Sequence, residues 1–86
     1  MFLHLGSHVT IWERKVIGIF SHKSTMSSDI TQEFMQQAEK KRLTRKVNNE
    51  PPKSFILTDK AIFLSPIDSG TLKGRMKKEV KQFGQF

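Results

Sequence analysis

The chain contains no cysteine and no tyrosine, and only eight of its 86 residues are acidic. Without cysteine, neither a disulfide framework nor a thiolate metal site can form, which excludes thiol redox chemistry. No apolar run approaches the length of a membrane span. The apolar start, residues 1–5, lacks the basic region and the longer apolar stretch of a secretory signal, so we expect a cytoplasmic protein.

The sequence also lacks the short motifs on which many enzymes depend. It has no glycine-rich phosphate loop, no nucleophile elbow and no His-Glu-x-x-His motif. His4 and His8 have a spacing that metal ligands use on a helix, but here it spans a strand and a turn, so a structural role is favoured. We therefore expect no enzymatic activity, no metal, no cofactor and no small-molecule substrate.

Positive charge dominates what is present. Fifteen Lys and Arg residues give a formal net charge of +7, and ten of them lie in two short segments, Lys40–Lys46 and Lys73–Lys81. This balance indicates a polyanionic partner, either nucleic acid or an anionic membrane surface. Few acids lie between the two segments to neutralise them, so binding to the phosphates of nucleic acid is favoured.

Hydrophobic patterning predicts an α+β fold in a single domain, residues 1–86. Two hairpins and one further strand give a small antiparallel sheet of about five strands, at residues 2–5, 9–12, 16–20, 54–58 and 61–65. One central helix is expected from residue 29 to about residue 40, and a C-terminal helix after Pro66. Residues 76–86 are expected to form a frayed or helical basic extension.

Both predicted helices carry an apolar stripe. Ile30, Phe34 and Ala38 recur at every fourth position of the central helix, which predicts that this stripe packs on the sheet. The C-terminal helix, which Ser69 or Thr71 is expected to cap, has a similar arc. Its members are Leu72, Met76, Val80 and Phe83.

Three predicted strands, within residues 16–20, 55–57 and 61–64, are continuously apolar, which indicates that both of their faces are covered. Two short helices cannot cover so much apolar surface, so we expect other copies of the chain to bury the rest in a homo-oligomer. Packing in the core or an interface is favoured over base stacking for the aromatic side chains of the strands, Trp12, Phe20, Phe55 and Phe63.

The candidate nucleic-acid-binding residues are basic side chains in or near the two clusters and beside the hairpins. They are Arg14, Lys15, Lys40, Lys41, Arg42, Arg45, Lys46, Lys53, Lys73 and Arg75. The arginines among them suit bidentate contacts to phosphate or guanine better than lysine does. The alternative is an oligomeric protein-interaction module, or one that docks on an anionic membrane surface through the C-terminal basic helix, without nucleic-acid binding.

Five short strings occur in a specific order and spacing. They are Phe2-Leu3-His4-Leu5-Gly6, Val16-Ile17-Gly18-Ile19-Phe20-Ser21, Pro52-Lys53-Ser54, Leu64-Ser65-Pro66 and Thr71-Leu72-Lys73. Together they extend over about residues 2 to 75 and resemble the RemA/RemB family of small bacterial extracellular matrix regulators. The resemblance implies a cytoplasmic transcriptional regulator of biofilm matrix genes, with duplex DNA as its partner.

The same resemblance implies an arrangement of the DNA-binding residues. RemA-type members are similar to LytTR-type β-rich DNA binders and form ring-shaped oligomers that present basic residues to DNA. In them a basic residue lies at the turn of the early hairpin, which Arg14 or Lys15 matches here.

One part of the family pattern is absent from this chain. Where RemA-type members have an Arg-Arg-x-Arg stretch before the second hairpin, this chain reads Glu50-Pro51-Pro52-Lys53 and keeps only Lys53. The resemblance then implies that the cationic contacts have moved to Arg42, Arg45 and Lys46, or that this branch binds something else.

Overall fold

The computed structural model describes residues 1–80, with side chains described for residues 1–76. The strands are β1 (Phe2–Gly6), β2 (Val9–Trp12), β3 (Val16–Ser21), β4 (Thr44–Lys46), β5 (Ser54–Thr58) and β6 (Ile62–Ser65). The helices are α1 (His22–Met26), α2 (Asp29–Lys40) and α3 (Ser69–Val80), and a 3₁₀ turn, Glu13–Lys15, joins β2 to β3. The predicted extension is therefore helical to residue 80, and the predicted place of Phe83 lies outside the described residues.

The strands form two sheets. β1 and β2 make an antiparallel hairpin, and the other four strands lie in the order β3-β5-β6-β4. β5 is antiparallel to β3 and β6, whereas β4 runs parallel to β6. The predicted α+β class and both predicted hairpins are confirmed. The division into two sheets and the short parallel strand β4 differ from the single antiparallel sheet that the sequence pattern predicted.

The main hydrophobic core lies between the β1–β2 hairpin and one face of the four-stranded sheet. Leu5 of the hairpin, Ile56 of β5 and Leu72 of α3 are wholly buried there, and Ile19 and Met76 pack with them. Burying a side chain of this size contributes about 1.5–3 kcal/mol to folding. The predicted inward arc of α3 is confirmed at the positions whose side chains are described.

Helix α2 covers the opposite face of this sheet only in part. Its Met35 and Ala38 pack with Phe55 of β5. The prediction for Ile30 and Phe34 was wrong, because these side chains are 81% and 55% exposed. An α-helix turns by about 100° per residue, so the side chains of Met35 and Ala38 point, on average, about 110° around the helix axis from that of Ile30. The helix therefore faces the sheet with a different stripe.

Buried hydroxyl groups fix the hairpin and the segment after β6 to the sheet. The Ser65 Oγ–H donates to the carbonyl of Leu5 at 2.5 Å, and the Ser54 Oγ–H donates to the carbonyl of Ile67 at 2.8 Å. Both serines are completely buried. Gly6, at the end of β1, has a φ of 118°, a conformation that other residues rarely adopt.

Candidate nucleic-acid interface

The strand register brings four chain positions to one end of the four-stranded sheet. Val16, at the start of β3, pairs with Thr58, at the end of β5. Ile62, at the start of β6, pairs with Leu57 on one side and with Thr44, at the start of β4, on the other. Segments that are far apart in the sequence therefore meet at this end.

Five exposed basic side chains flank these strand ends, and we call them the basic end of the sheet: Arg14, Lys15, Lys41, Arg42 and Lys60. Arg14 and Lys15 precede β3, Lys41 and Arg42 precede β4, and Lys60 lies in the turn between β5 and β6. Because neighbouring strands lie about 4.8 Å apart, the starts of β3 and β4 are separated by about 14 Å.

A cavity of about 330 Å³ lies between the end of α2 and the β5–β6 turn. Lys41 and Lys60 both line it, together with Asp59. Lys41 is the C-cap residue of α2, where a cation complements the negative end of the helix dipole. The acids next to the basic end in the sequence are Glu13 and Asp59, so its five cations outnumber them.

Arg45 stabilises the turn that leads into β4. Its Nη1 donates to the carbonyl of Arg42 at 2.6 Å and to that of Thr44 at 2.9 Å. A guanidinium has five N–H donors, so these bonds leave other donors for a ligand. Lys40, in the last turn of α2, and Lys46, at the end of β4, are exposed on either side of this turn.

Arg14 lies against an exposed aromatic pair. Its Cζ is 5.1 Å from the centroid of the Trp12 ring, which in turn lies 4.2 Å from the centroid of the Phe2 ring. Trp12 is 41% exposed and Phe2 is 59% exposed. Among the other aromatic residues that the sequence placed in a core or an interface, Phe55 is buried, whereas Phe20 remains 49% exposed.

Three of the candidate residues lie away from the basic end. Lys53 precedes Ser54, which pairs with Ser21 at the opposite end of the sheet. Lys73 and Arg75 project from α3, and Arg75 Nη1 donates to the carbonyl of His4 at 2.9 Å, which ties α3 to the hairpin. The basic end therefore contains four of the ten sequence-based candidates.

Lys60 was missed by the sequence analysis. It is a single lysine in a turn, outside both basic clusters, and only the hairpin register places it between the other cations. The position of Lys60 could have been predicted from the hairpin at residues 54–65, because the turn of a hairpin must lie at one end of its sheet.

A second surface, which we call the apolar groove, runs beside β3. It is a cavity of about 580 Å³ whose lining includes Phe20, Phe55 and Leu57 of the sheet and Phe34 and Met35 of α2. More of its lining is apolar than polar, and several serine and threonine residues and Lys73 also contribute to it. A groove of this kind is more typical of an interaction surface than of the exterior of a monomer.

The histidines and the helices add two findings about the described residues. His4 lies in β1, with Nε2 2.9 Å from the carbonyl oxygen of Ser7, and within residues 1–76 no group of three metal-ligating side chains is close enough to hold an ion. None of the helices seen in this part of the chain has the length and apolar character needed to span a bilayer.

Comparison with known proteins places this geometry in a family. Residues 2–76 match the RemA-like family, described as extracellular matrix regulatory protein A-like. The chain is 39% identical over 75 residues to extracellular matrix regulatory protein B of Bacillus subtilis (strain 168), an alignment that covers 87% of this chain and 89% of that protein. The resemblance found in the sequence is confirmed, and the chain belongs to the RemA-like family of extracellular matrix regulatory proteins.

Proposed function

We propose that this chain is a non-enzymatic, cytoplasmic transcriptional regulator of extracellular matrix genes that binds duplex DNA as an oligomer. The family and the name of the Bacillus subtilis relative support a role in matrix regulation. The observation that carries the DNA-binding part is the strand register, which gathers cations from three separate segments at the basic end of the sheet.

The dimensions of the basic end suit a DNA groove. Its two outer groups, Arg14 with Lys15 and Lys41 with Arg42, precede strands that lie about 14 Å apart, and the major groove is about 12 Å wide. Each group then approaches the phosphates of one strand, while Lys60 lies between them. Phosphate contacts of this kind supply affinity and position, and sequence preference comes in part from the shape of the DNA.

A homo-oligomer would cover the apolar surface that a single copy leaves open. Ile17, Ile30 and Phe34 are more than half exposed, and Phe34 lines the apolar groove. β3 forms one edge of the sheet and carries no charged side chain, whereas the other edge, β4, carries Arg45 and Lys46. Charged edge strands resist pairing, so contact with a second copy is favoured along β3 and the apolar groove.

The proposal is tested with two variants that lower the net charge by the same amount at opposite ends of the sheet. Lys41→Ala with Lys60→Ala changes the basic end, and Lys23→Glu changes the other end, because Lys23 is exposed in α1, directly after β3. Fluorescence anisotropy with a labelled duplex, over a range of salt concentrations, measures the affinity of each.

We expect the first pair to weaken binding and to make the slope of log affinity against log salt shallower by about two per bound subunit. The Lys23→Glu variant should change neither quantity much, although it lowers the net charge equally. Equal effects of the two variants would show that bulk charge, and not the basic end, determines binding. Flotation with anionic vesicles, in the absence of any affinity for duplex DNA, would support the membrane-surface alternative instead.

A further inference from the structure

We infer that Trp12 is a positioning residue, which holds the guanidinium of Arg14 in place for contact with DNA and itself touches no base. This inference rests on the proposed DNA binding and adds a role that the basic residues alone do not explain. The Arg14 guanidinium carbon lies 5.1 Å from the centroid of the Trp12 ring. A cation at this distance over an indole face is attracted by the negative face of the ring.

The aromatic pair is itself held by the hairpin. Phe2 and Trp12 are directly opposite each other in the β1–β2 register, and their ring centroids are 4.2 Å apart. The neighbouring Leu3 and Leu5 are buried in the main core, so the strand that carries Phe2 is fixed to the rest of the domain. A stack of side chains therefore runs from Phe2, on a strand that packs on the core, through Trp12 to the cation of Arg14.

Exposure of this stack argues against a role in the core. Trp12 is 41% exposed, so its ring lies outside the buried core. Its ring already contacts Phe2 and Arg14, which makes it a poor platform for a nucleobase. A free arginine side chain loses much rotamer freedom when it binds, so one that is already held on a ring binds phosphate or guanine with a smaller loss.

The inference is tested by a double-mutant cycle on the intact chain. Duplex affinity is measured by anisotropy for the wild type, Trp12→Leu, Arg14→Ala and the two substitutions combined, with Trp12→Phe as the conservative variant. We expect Trp12→Leu to weaken binding by about two- to five-fold, the range of an exposed cation–π contact, and Trp12→Phe to stay closer to the wild type. In the Arg14→Ala background, Trp12→Leu should have no further effect.

Two further measurements separate positioning from a merely structural role. Trp12→Leu removes no charge, so its salt slope should equal that of the wild type, whereas Arg14→Ala should lower the slope by about one. Trp12 is the one tryptophan in the chain and there is no tyrosine, so its fluorescence reports on this ring alone. Arg14→Ala should make that fluorescence easier to quench with acrylamide, even without DNA.

Thr10→Val is the matched control, because Thr10 is exposed on the same face of the hairpin, two residues from Trp12. It should leave both affinity and quenching unchanged. A loss of affinity from Trp12→Leu that persists in the Arg14→Ala background would overturn the inference, as would a Trp12→Leu variant that binds as tightly as the wild type. A wild-type chain that binds no duplex DNA would instead overturn the proposed function, and this inference with it.

Discussion

Arg42 carries one of the charges of the basic end in an unfavourable backbone conformation. Its φ is 58°, in the left-handed region, at the position that follows the C-cap of α2. The Leu43 N–H donates to the Ala38 carbonyl at 2.9 Å and the Arg42 N–H to the Glu39 carbonyl at 3.0 Å, the bonding pattern of a Schellman motif. Glycine is the usual residue at this position, so an arginine here costs about 1 kcal/mol.

Two substitutions of Arg42 should separate this conformational cost from the loss of charge. Arg42→Gly should give a free energy of unfolding about 1 kcal/mol higher than Arg42→Ala, because only glycine adopts the positive φ without steric penalty. Urea denaturation followed by circular dichroism measures the difference. Both variants lose the same charge, so we expect them to bind duplex DNA equally weakly, and unequal binding would show that the turn conformation matters for the contact.

The buried serines lie in the short strings that carry the family resemblance. Ser54 and Ser65 each belong to one of those strings, and Gly6 ends another. In the structure they are the points where distant segments are joined, since the Ser65 hydroxyl reaches the carbonyl of Leu5 across the core. Replacing either serine with an apolar residue would leave a buried carbonyl without its donor, which costs about 1–3 kcal/mol.

At the scale of single elements, local patterns predicted most strands and helices to within two residues. β3 and β5 are apolar runs bounded by polar turns, and α2 begins where the capping residues indicated. α1 was missed because five residues with little apolar periodicity carry no signal of their own. β4, Thr-Arg-Lys, was missed because it is a strand only through its parallel pairing with β6.

The candidate site shows the same limit. The sequence identified four of its five cations, Lys41 and Arg42 in a basic cluster and Arg14 with Lys15 beside a hairpin, but their convergence depends on which strand ends lie together. That arrangement is set by pairing between residues 18 to 42 positions apart, such as Thr44 with Ile62 and Val16 with Thr58. Composition could therefore indicate the kind of partner, and only the register could indicate the place.

Helix α3 begins with a carboxylate cap instead of the predicted hydroxyl caps. Asp68 Oδ1 accepts from the Thr71 hydroxyl at 2.7 Å, and Asp68 Oδ2 accepts from the Thr71 N–H at 3.0 Å. These bonds, the hydroxyl bond first, hold the pKa of Asp68 below its ordinary value of 3.8. Because the folded state lowers this pKa, the cap stabilises the protein above pH 3.8 and the contribution is lost as the pH falls through the lowered value.

Asp68→Asn should therefore flatten the acid limb of the stability curve, because an amide keeps one acceptor oxygen for the Thr71 N–H and does not titrate. Urea unfolding at a series of pH values, from neutral to below 3.8, measures this limb. Thr71→Val removes the hydroxyl donor and should shift the loss of the Asp68 contribution to higher pH. An acid limb of unchanged steepness in Asp68→Asn would mean that other carboxylates control it.

At the scale of the whole molecule, a variant that cannot assemble should also bind DNA more weakly. Phe34→Glu places a charge in the apolar groove without altering any basic residue, so it should lower the molar mass measured by light scattering. Loss of multivalent contact should also weaken duplex binding by about ten-fold or more. Gln36→Glu is the control, since it introduces the same charge on an exposed position of the same helix.

Light scattering on the wild type and on the two variants tests separate parts of the proposal. A wild-type chain that is monomeric at every concentration would refute the proposed homo-oligomer. An assembled Phe34→Glu variant would show that the apolar groove is not the interface. A Gln36→Glu variant that also dissociates would mean that any added negative charge disrupts assembly.

The unequal edges of the four-stranded sheet restrict the symmetry of any assembly built on them. Arginine and lysine protect the β4 side, so strand addition at the uncharged side joins β3 to the β3 of another copy about a twofold axis. Such a contact uses the β3 edge of both copies, so it joins two copies and cannot extend to a third. A larger ring must then alternate this contact with a different one, and native mass spectrometry should find even subunit numbers.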